Sequence, residues 1–218
     1  MRLYLSSFRI GDHPDRLIEL TGANRRTAVV ANAVDHLAPA DRQRSVAAEL
    51  TALRELGLDP VELDLRRFAG APDALRGELA GVGLVWLRGG NAFVLRHRLA
   101  DSGLDQQLLD GLATDRFVVG GYSAGSCVLG RSLAGLEECD PITDLAQVAP
   151  GAPVIMDGLG LLDGTVVPHL ASPEHPESTV LTAVAAKLRA DGRKIIELRD
   201  GDVLFDRGAG PTLLPRSR

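Results

Sequence analysis

The sequence predicts an α/β fold, with a largely parallel sheet, helices on both of its faces and a C-terminal hairpin. Short β-prone, mostly apolar runs alternate along the chain with segments of helical periodicity. The intervening helices are long enough for crossover connections, which join parallel strands. Near the end of the chain, Ile195–Leu198 and Val203–Phe205 flank the turn signal RDGD, a pattern that predicts the hairpin.

Five short runs predict the strands of the sheet, and most of them are apolar enough to be buried. In chain order they are Arg2–Ser7, Thr27–Ala31, Pro60–Leu65, Gly83–Leu87 and Phe117–Gly120. A further strand-like run, GTVVPHL, follows the turn LLDG. Functional groups of parallel sheets collect at strand ends, so residues that follow these runs are the first candidates for a site.

Two segments predict helices most clearly, and one long segment predicts a loop. PADRQRSVAAELTALRELG carries apolar residues at helical spacing and stops at Gly57. STVLTAVAAKLRADG begins at Ser178, a residue type that caps helix N-termini, and ends at Gly192. Gly135–Pro153 is the longest irregular region, and we expect it to form a wall of the site.

Length and composition are those of an ordinary globular protein. We expect one domain, residues 1–218, large enough to fold without a disulfide or a metal. The net charge of −5 gives no electrostatic footprint for nucleic acid. No apolar run reaches membrane-spanning length, and Cys127 and Cys139 lack C-x-x-C spacing. We therefore expect a cytoplasmic protein with no cofactor or metal and no nucleic-acid or membrane partner.

The stretch FVVGGYSAGSCVLG places Ser123 between Gly121 and Gly125 at G-x-S-x-G spacing. A nucleophile elbow needs small residues here because the chain reverses sharply between a strand and a helix. Ala124 offers a backbone N–H at the start of that helix, where an oxyanion would form. A plain glycine-rich turn is the alternative, but the preceding strand and following helix favour a nucleophile.

A second glycine pair lies in LVWLRGGNAF, where a predicted strand ends and a helix begins near Asn91. The amides of Gly89 and Gly90 are candidates for the other half of an oxyanion hole, since glycine lets a substrate carbonyl approach closely. A simple turn capped by Asn91 is compatible with the same residues.

Five histidines are available as a general base, and His169 is the strongest candidate because it ends the run GTVVPHL. His97 falls in an arginine-rich helix, and His13 and His36 lie in polar loops. His175, in SPEHPES, is a weaker loop candidate. The alternative for any of them is a surface or capping role.

Two aspartates are candidates for the acid that orients the base. Asp140 lies in EECDPITD and Asp200 in ELRDGDVL, both in turns near strand ends. Either could equally be a turn-forming residue, as aspartate beside proline or glycine commonly is. The residues alone leave the choice open.

The motifs GGNAF, GYSAGS, DPI, PHL and DGDVL, in this order and spacing, resemble the dipeptidase E (aspartyl dipeptidase) family of serine peptidases, and cyanophycinase more distantly. The resemblance covers nearly the whole chain, including the opening LYLSSF. It implies a class I glutamine amidotransferase-like fold with serine in place of the usual cysteine, and a short peptide as substrate. It also implies Ser123 as nucleophile, His169 as base, Asp200 at the position of a triad glutamate, and Asp140 as a second acid credited with a charge-relay role.

The chain departs from the family pattern around the substrate. Arg88 begins the segment where the family has G-G-G-N-T, and Glu137 and Glu138 replace an arginine and a threonine suited to an aspartyl side chain. We take Arg88, Asn91 and Glu138 as candidate substrate-binding residues and expect weak cleavage of Asp-X dipeptides. The sequence leaves the oligomeric state open, with a homodimer as one possibility.

Two other functions remain open at this point. The chain order Ser123, Asp140, His169 is that of an α/β-hydrolase esterase, although that fold places its histidine near the chain end. A binding module that kept the amidotransferase-like fold and lost turnover is the other alternative.

Overall fold

A computed structural model describes residues 1–217. Its strands are β1 (Leu3–Ser6), β2 (Arg26–Val30), β3 (Asp59–Glu62), β4 (Leu84–Leu87), β5 (Val118–Tyr122), β6 (Thr165–Val167), β7 (Ile195–Glu197), β8 (Val203–Asp206) and β9 (Thr212–Leu214). Its α-helices are α1 (Pro14–Thr21), α2 (Pro39–Glu55), α3 (Pro72–Glu78), α4 (Ala92–Ser102), α5 (Leu104–Ala113), α6 (Ala124–Cys127), α7 (Ile142–Val148) and α8 (Ser178–Ala190). Three short 3₁₀ helices cover Asn32–Val34, Leu65–Phe68 and Leu136–Glu138.

Seven strands form the main sheet in the order β3-β2-β4-β5-β1-β8-β9. The first five are parallel, and β8 and β9 add antiparallel strands beside β1. Strands β6 and β7 pair in parallel as a separate two-stranded sheet. The predicted α/β class, the five strands and their parallel arrangement are confirmed.

The central strands place apolar side chains on both faces of the sheet, as expected where helices cover each face. Leu3 and Leu5 of β1 belong to one core, with apolar residues of α4 and α5, while Tyr4 between them belongs to the other, with residues of α1 and α2. Helices therefore cover both faces, as predicted. No helix within residues 1–217 is both long and apolar enough to cross a membrane.

The C-terminal hairpin is present but uses different strands from those predicted. It consists of β8 and β9, whereas Ile195–Leu198 and Val203–Phe205 contribute to different sheets. The RDGD segment still turns, with the N–H of Asp202 donating to Arg199 O at 2.9 Å. The predicted pairing of these two runs is wrong because β7 pairs in parallel with β6, which is distant in sequence, and a local turn signal does not indicate such a partner.

Two local predictions also need correction. The segment 135–153 is not an irregular loop throughout, since it contains the 3₁₀ helix Leu136–Glu138 and helix α7. Ser178 is the first residue of α8 and not its cap; its Oγ accepts the N–H of Ser172 at 3.0 Å. Gly192 lies just beyond the helix end with φ 71°, the left-handed conformation typical of glycine there.

Candidate active site

The carboxyl ends of parallel strands from both sheets place the predicted residues around one cavity. Ser123 follows β5, Gly89 and Gly90 follow β4, and His169 lies two residues beyond β6. Ser123, the glycine pair and His169 all line one cavity of about 360 Å³. Parallel sheets collect ligands at the carboxyl ends of their strands.

Ser123 occupies a strained turn between β5 and α6. Its φ of 49° and ψ of −120° lie where residues other than glycine rarely occur. Its N–H donates to Ser7 O at 3.1 Å, and its carbonyl oxygen accepts the N–H groups of Ser126 and Cys127. The backbone on both sides holds the turn, so Ser123 is held at the head of α6 and borders the cavity.

Two glycines make this turn sterically possible. A Cβ at Gly121 would lie 2.5 Å from Leu87 O, and a Cβ at Gly125 would lie 2.0 Å from the same oxygen. Neither distance can accommodate a side chain, because the contact is with backbone. The G-x-S-x-G spacing is therefore required by the close approach of the elbow to the end of β4.

The glycine pair after β4 lies directly beside the serine. A Cβ at Gly89 would be 3.0 Å from the Cβ of Ser123, and Gly90 has φ 144° with Ala33 O only 2.6 Å from where its Cβ would lie. Within residues 1–217 the N–H groups of Gly89, Gly90 and Ala124 make no hydrogen bond. Unpaired backbone N–H donors beside a serine at a cavity are the groups from which an oxyanion hole is built.

His169 is buried and held from several sides. Its Nδ1 lies 2.6 Å from Asp200 Oδ1, and its backbone N–H donates to Ser7 Oγ at 2.8 Å. Its φ of 59° is a second strained conformation at this cavity. The His175 ring stacks on it in parallel, with centroids 3.5 Å apart, and Phe8 packs edge-on at 5.9 Å. The ring is therefore fixed in position and in orientation.

Asp200 is the carboxylate that the structure places on His169. Its Oδ1 also accepts the Ser7 hydroxyl at 2.8 Å, and its N–H donates to Ser172 Oγ at 2.8 Å. Burial acts to raise the pKa of Asp200, but the hydrogen bonds from His169 and Ser7 outweigh it and hold that pKa below its ordinary value. Asp200 is accordingly anionic, as a partner for an imidazolium must be.

Asp140 has a different environment. Its Oδ2 accepts the N–H of Ala92 at 2.8 Å, the first residue of α4. Burial raises the pKa of Asp140 to about 7, although the hydrogen bond from Ala92 opposes the shift. Within residues 1–217 no hydrogen bond joins Asp140 to His169. Asp140 lines the cavity, so it lies at the site without contacting the candidate base.

The three candidate substrate-binding residues have different surroundings. Arg88 lines the cavity, and its Nη1 donates to Gly89 O at 2.6 Å. Asn91 caps α4 through its Oδ1 and donates its Nδ2 to Pro141 O and Asp144, so its side chain is already engaged. Glu138 is exposed and does not line the cavity. The expectation that Glu138 faces the substrate therefore finds no support, because the 3₁₀ turn directs Cys139 and Asp140 there instead.

Charge in the cavity comes from other residues. Its acidic lining residues are Asp140, Asp144 and Glu177, and its arginines are Arg9 and Arg88. Both charge signs are therefore present around Ser123.

Sequence reasoning missed several residues that support the site. Ser7 joins Asp200 to the backbone of His169, and Ser172 holds the Asp200 N–H. His175 was ranked low among the histidines, yet it stacks on His169. The position of Ser7 at the end of a predicted strand was the available signal, since Gly89 and Ser123 also lie at the ends of strands of the same sheet.

The histidine pair also raises the question of a metal. His169, His175 and Glu177 offer ligand atoms within 4.8 Å of one another. An imidazole nitrogen binds a metal in the plane of its ring, and two rings that stack in parallel 3.5 Å apart direct their lone pairs side by side. Nδ1 of His169 is engaged with Asp200, and Nδ1 of His175 accepts the N–H of Glu177 at 3.3 Å. The cluster suits hydrogen bonding better than metal coordination.

Comparison with known sequences gives a family and two curated relatives. The profile of peptidase family S51 matches residues 13–214. The uncharacterized peptidase Lin0382 of Listeria innocua serovar 6a is 29% identical over 124 residues, which are 57% of this chain and 56% of that protein. The uncharacterized peptidase Lmo0363 of Listeria monocytogenes serovar 1/2a is 26% identical over 165 residues, 75% of this chain and 74% of that protein. The chain thus matches little more than half the length of the first relative.

Solved structures agree on the fold over the whole chain. A candidate peptidase E protein from Listeria monocytogenes EGD-e superposes with a TM-score of 0.79 at 22% identity, covering 99% of this chain and 98% of that one. A peptidase from an acI-B1 Actinobacterium gives 0.67 at 16% identity, covering 100% and 95%. With the family match over nearly the full length, the chain is a member of peptidase family S51.

Proposed function

We propose that the protein hydrolyses short peptides, dipeptides above all, with Ser123 as nucleophile, His169 as general base and Asp200 as orienting acid. The observation that carries the proposal is the set of residues that border one cavity: an elbow serine beside two glycines, and a buried histidine whose Nδ1 lies 2.6 Å from a carboxylate oxygen. Serine peptidases need this combination of nucleophile, base and oriented carboxylate.

The reaction follows from these positions. Ser123 Oγ attacks the scissile carbonyl while His169 takes its proton at Nε2, because Nδ1 is bonded to Asp200. The developing oxyanion accepts N–H groups from Gly89 or Gly90 and from Ala124. His169 then returns the proton to the leaving amine, and a water repeats the sequence to release the acyl group from Ser123.

The charges around Ser123 suit a free short peptide. A dipeptide carries a cationic amino group and an anionic carboxylate a few bonds from the scissile bond. The cavity offers the carboxylates of Asp140, Asp144 and Glu177 for the first, and the arginines Arg9 and Arg88 for the second. Its volume of about 360 Å³ favours small substrates.

The same charges support the expected discrimination against Asp-X dipeptides. Glu137 and Glu138 are exposed and do not line the cavity, but Asp144 and Glu177 of its lining repel an aspartyl side chain, and Asp140 adds to the repulsion once it ionises above its pKa of about 7. We expect kcat/KM for Asp-X to fall below that for neutral or basic N-terminal residues. A kcat/KM for Asp-X above that of every other dipeptide would contradict this, and Arg88 would then be the first residue to test.

A library of dipeptides and tripeptides, analysed by mass spectrometry, tests the substrate class. Cleavage restricted to the shortest peptides supports the proposal, and preferred cleavage of p-nitrophenyl esters or of long peptides contradicts it. Peptides of six residues or more, assayed beside this library, distinguish release of terminal residues from internal cleavage.

Two variants test the mechanism. Ser123→Ala and His169→Ala should each lower kcat on the order of 10⁴- to 10⁶-fold. Ser123→Ala should keep the thermal unfolding of the wild type, whereas His169→Ala should lower the melting temperature because it removes a buried ring that pairs with Asp200, so its kinetics are measured well below that temperature. A serine-directed probe should label the wild type and not Ser123→Ala. Failure of the probe to label the wild type would favour a binding module that has lost turnover.

A further inference from the structure

Glu49 is a buried carboxylate for which the proposed mechanism has no direct use. It lies in α2, on the face of the sheet opposite α4, and only 6% of its surface is exposed. Its Oε1 accepts the indole N–H of Trp86 at 2.7 Å, and its Oε2 accepts the Tyr122 hydroxyl at 2.9 Å. The Arg88 Nε lies 3.6 Å from Oε2. Burial of a carboxylate is costly unless it is paired in this way.

The partners of Glu49 belong to the two strands that end at the site. Trp86 lies in β4, and Arg88 follows the last residue of that strand and immediately precedes Gly89. Tyr122 is the last residue of β5, immediately before Ser123. One carboxylate thus ties together the strand that precedes the proposed oxyanion loop and the strand that precedes the nucleophile.

The Tyr122 ring, which Glu49 holds through its hydroxyl, packs directly against Gly89. A Cβ on Gly89 would lie 2.7 Å from a ring carbon of Tyr122, so the glycine backbone rests directly on the ring. The hydroxyl bond to Glu49 fixes where that ring lies, and Arg88, the residue before Gly89, faces the same carboxylate. Gly89 is therefore located by Glu49 from two directions.

We infer that Glu49 is a positioning residue, which sets the Gly89 N–H against Ser123 through Tyr122 and Arg88. The inference rests on the proposed function, since it assigns Glu49 to the geometry of that oxyanion site. Donor placement matters because loss of one oxyanion donor costs about 10²- to 10³-fold in kcat, and a displacement of about 1 Å can cost on the order of 10²-fold.

The variant Glu49→Gln tests this with little change of shape. The glutamine oxygen can still accept the Trp86 N–H, and its amide can donate to a reversed Tyr122 hydroxyl, but the charge facing Arg88 is lost. We expect kcat to fall about 10- to 100-fold with KM changed less than about threefold. The affinity for a peptide boronate, which forms a tetrahedral adduct with Ser123, should fall in parallel with kcat.

One spectroscopic readout and two further variants separate a positioning role of Glu49 from general destabilisation of the fold. Trp86 is the only tryptophan in the chain, so its fluorescence reports directly on the Glu49 hydrogen bond. Glu55→Gln, an exposed substitution on the same helix, is the matched control and should keep wild-type kinetics. Tyr122→Phe keeps the ring and removes only the hydroxyl; it should lower kcat and boronate affinity together, by about 3- to 10-fold.

The outcomes distinguish this inference from the proposed function. The positioning role would be overturned if Glu49→Gln altered the Trp86 fluorescence but kept wild-type kcat and boronate affinity. The proposed function would survive that result as long as Ser123→Ala abolished activity. Full activity in Ser123→Ala would overturn the proposed function itself. If Glu49→Gln does not fold, Tyr122→Phe decides: parallel losses support the inference and unchanged kinetics refute it.

Discussion

Substitution of Asp200 by asparagine isolates one electrostatic contribution to the proposed mechanism. A single oxygen, Oδ1, accepts both Nδ1 of His169 at 2.6 Å and the Ser7 hydroxyl at 2.8 Å. An asparagine oxygen at the same place can accept both bonds. In that rotamer the orientation and tautomer of the imidazole are kept and only the negative charge is removed, whereas the rotamer that turns the amide nitrogen toward Nδ1 also imposes the wrong tautomer and adds to the loss.

The size of the effect follows from the separation of the charges. Two unit charges about 4 Å apart interact by about 4 kcal/mol at an effective dielectric constant of about 20, the value suited to partly buried groups. Asp200 is half-buried against His169, so its charge stabilises the imidazolium that forms in the transition state. Loss of about 4 kcal/mol raises the barrier enough to lower kcat by about 10³-fold.

Steady-state kinetics on the best dipeptide of the library measure this loss. We expect KM to change little, because Asp200 acts on the base and not on the substrate. Thermal unfolding confirms that the variant is folded, and the exposed Asp191→Asn serves as the matched control with wild-type kinetics.

The opposite pattern would refute the assignment. If Asp140→Asn collapsed kcat while Asp200→Asn stayed near wild type, the orienting acid would be Asp140. The expected result for Asp140→Asn is an effect on KM at least as large as that on kcat, since Asp140 lines the cavity and does not contact His169.

Three further predictions concern stability. The pKa of Asp140 is about 7 in the folded protein against an ordinary 3.8, so the folded state binds more protons than the unfolded state between these values, and the free energy of unfolding falls as pH rises from 3.8 to 7. Asp140→Asn should remove this pH dependence. In urea unfolding, the stability of the variant minus that of the wild type should be greater at pH 7.5 than at pH 4.5 by at least about 1 kcal/mol. Gly125→Ala should unfold the protein or destabilise it by more than about 3 kcal/mol, because the added Cβ would overlap Leu87 O. Gly77→Ala is the control: it lies in a helix with open space around it, so it should be neutral or stabilise the protein by up to about 1 kcal/mol. Equal melting temperatures for the two variants would contradict the steric argument. Ser7→Ala should cost about 1 to 3 kcal/mol in thermal unfolding, because the buried His169 N–H loses its acceptor, and a kcat loss larger than that of Asp200→Asn would show that Ser7 does more than orient the acid.

Much of the sheet could be predicted from the sequence because its signals are local. Three of the five predicted strands, β1, β4 and β5, are short runs buried at every position, so no polar alternation misleads the prediction. The edge strand β3 is the exception, with polar residues and a largely exposed Val61. The position of Ser123 was also predictable, because the glycines that its turn requires are its sequence neighbours. Both are properties of a few consecutive residues.

The choice between Asp140 and Asp200 was not predictable in the same way. Both lie in turns beside proline or glycine, and what separates them is a contact across 31 residues between His169 and Asp200. Ser7 reaches Asp200 across 193 residues. Glu138 lies outside the cavity lining for the related reason that one turn of 3₁₀ helix decides which side chains of a segment face the cavity.

The distance along the chain between Ser7 and Asp200 has a consequence for folding. β1 is synthesised well before β8, and Asp200 is positioned only after β8, which begins at Val203, has paired beside β1. Contacts of such high sequence separation form late, because the loop must close before they contribute. We expect a nascent chain that has not yet extended through β8 to carry the serine elbow without an oriented base. Hydrolytic competence would then arise in the last steps of folding, and local detachment of β8 would abolish it while the parallel strands stayed intact.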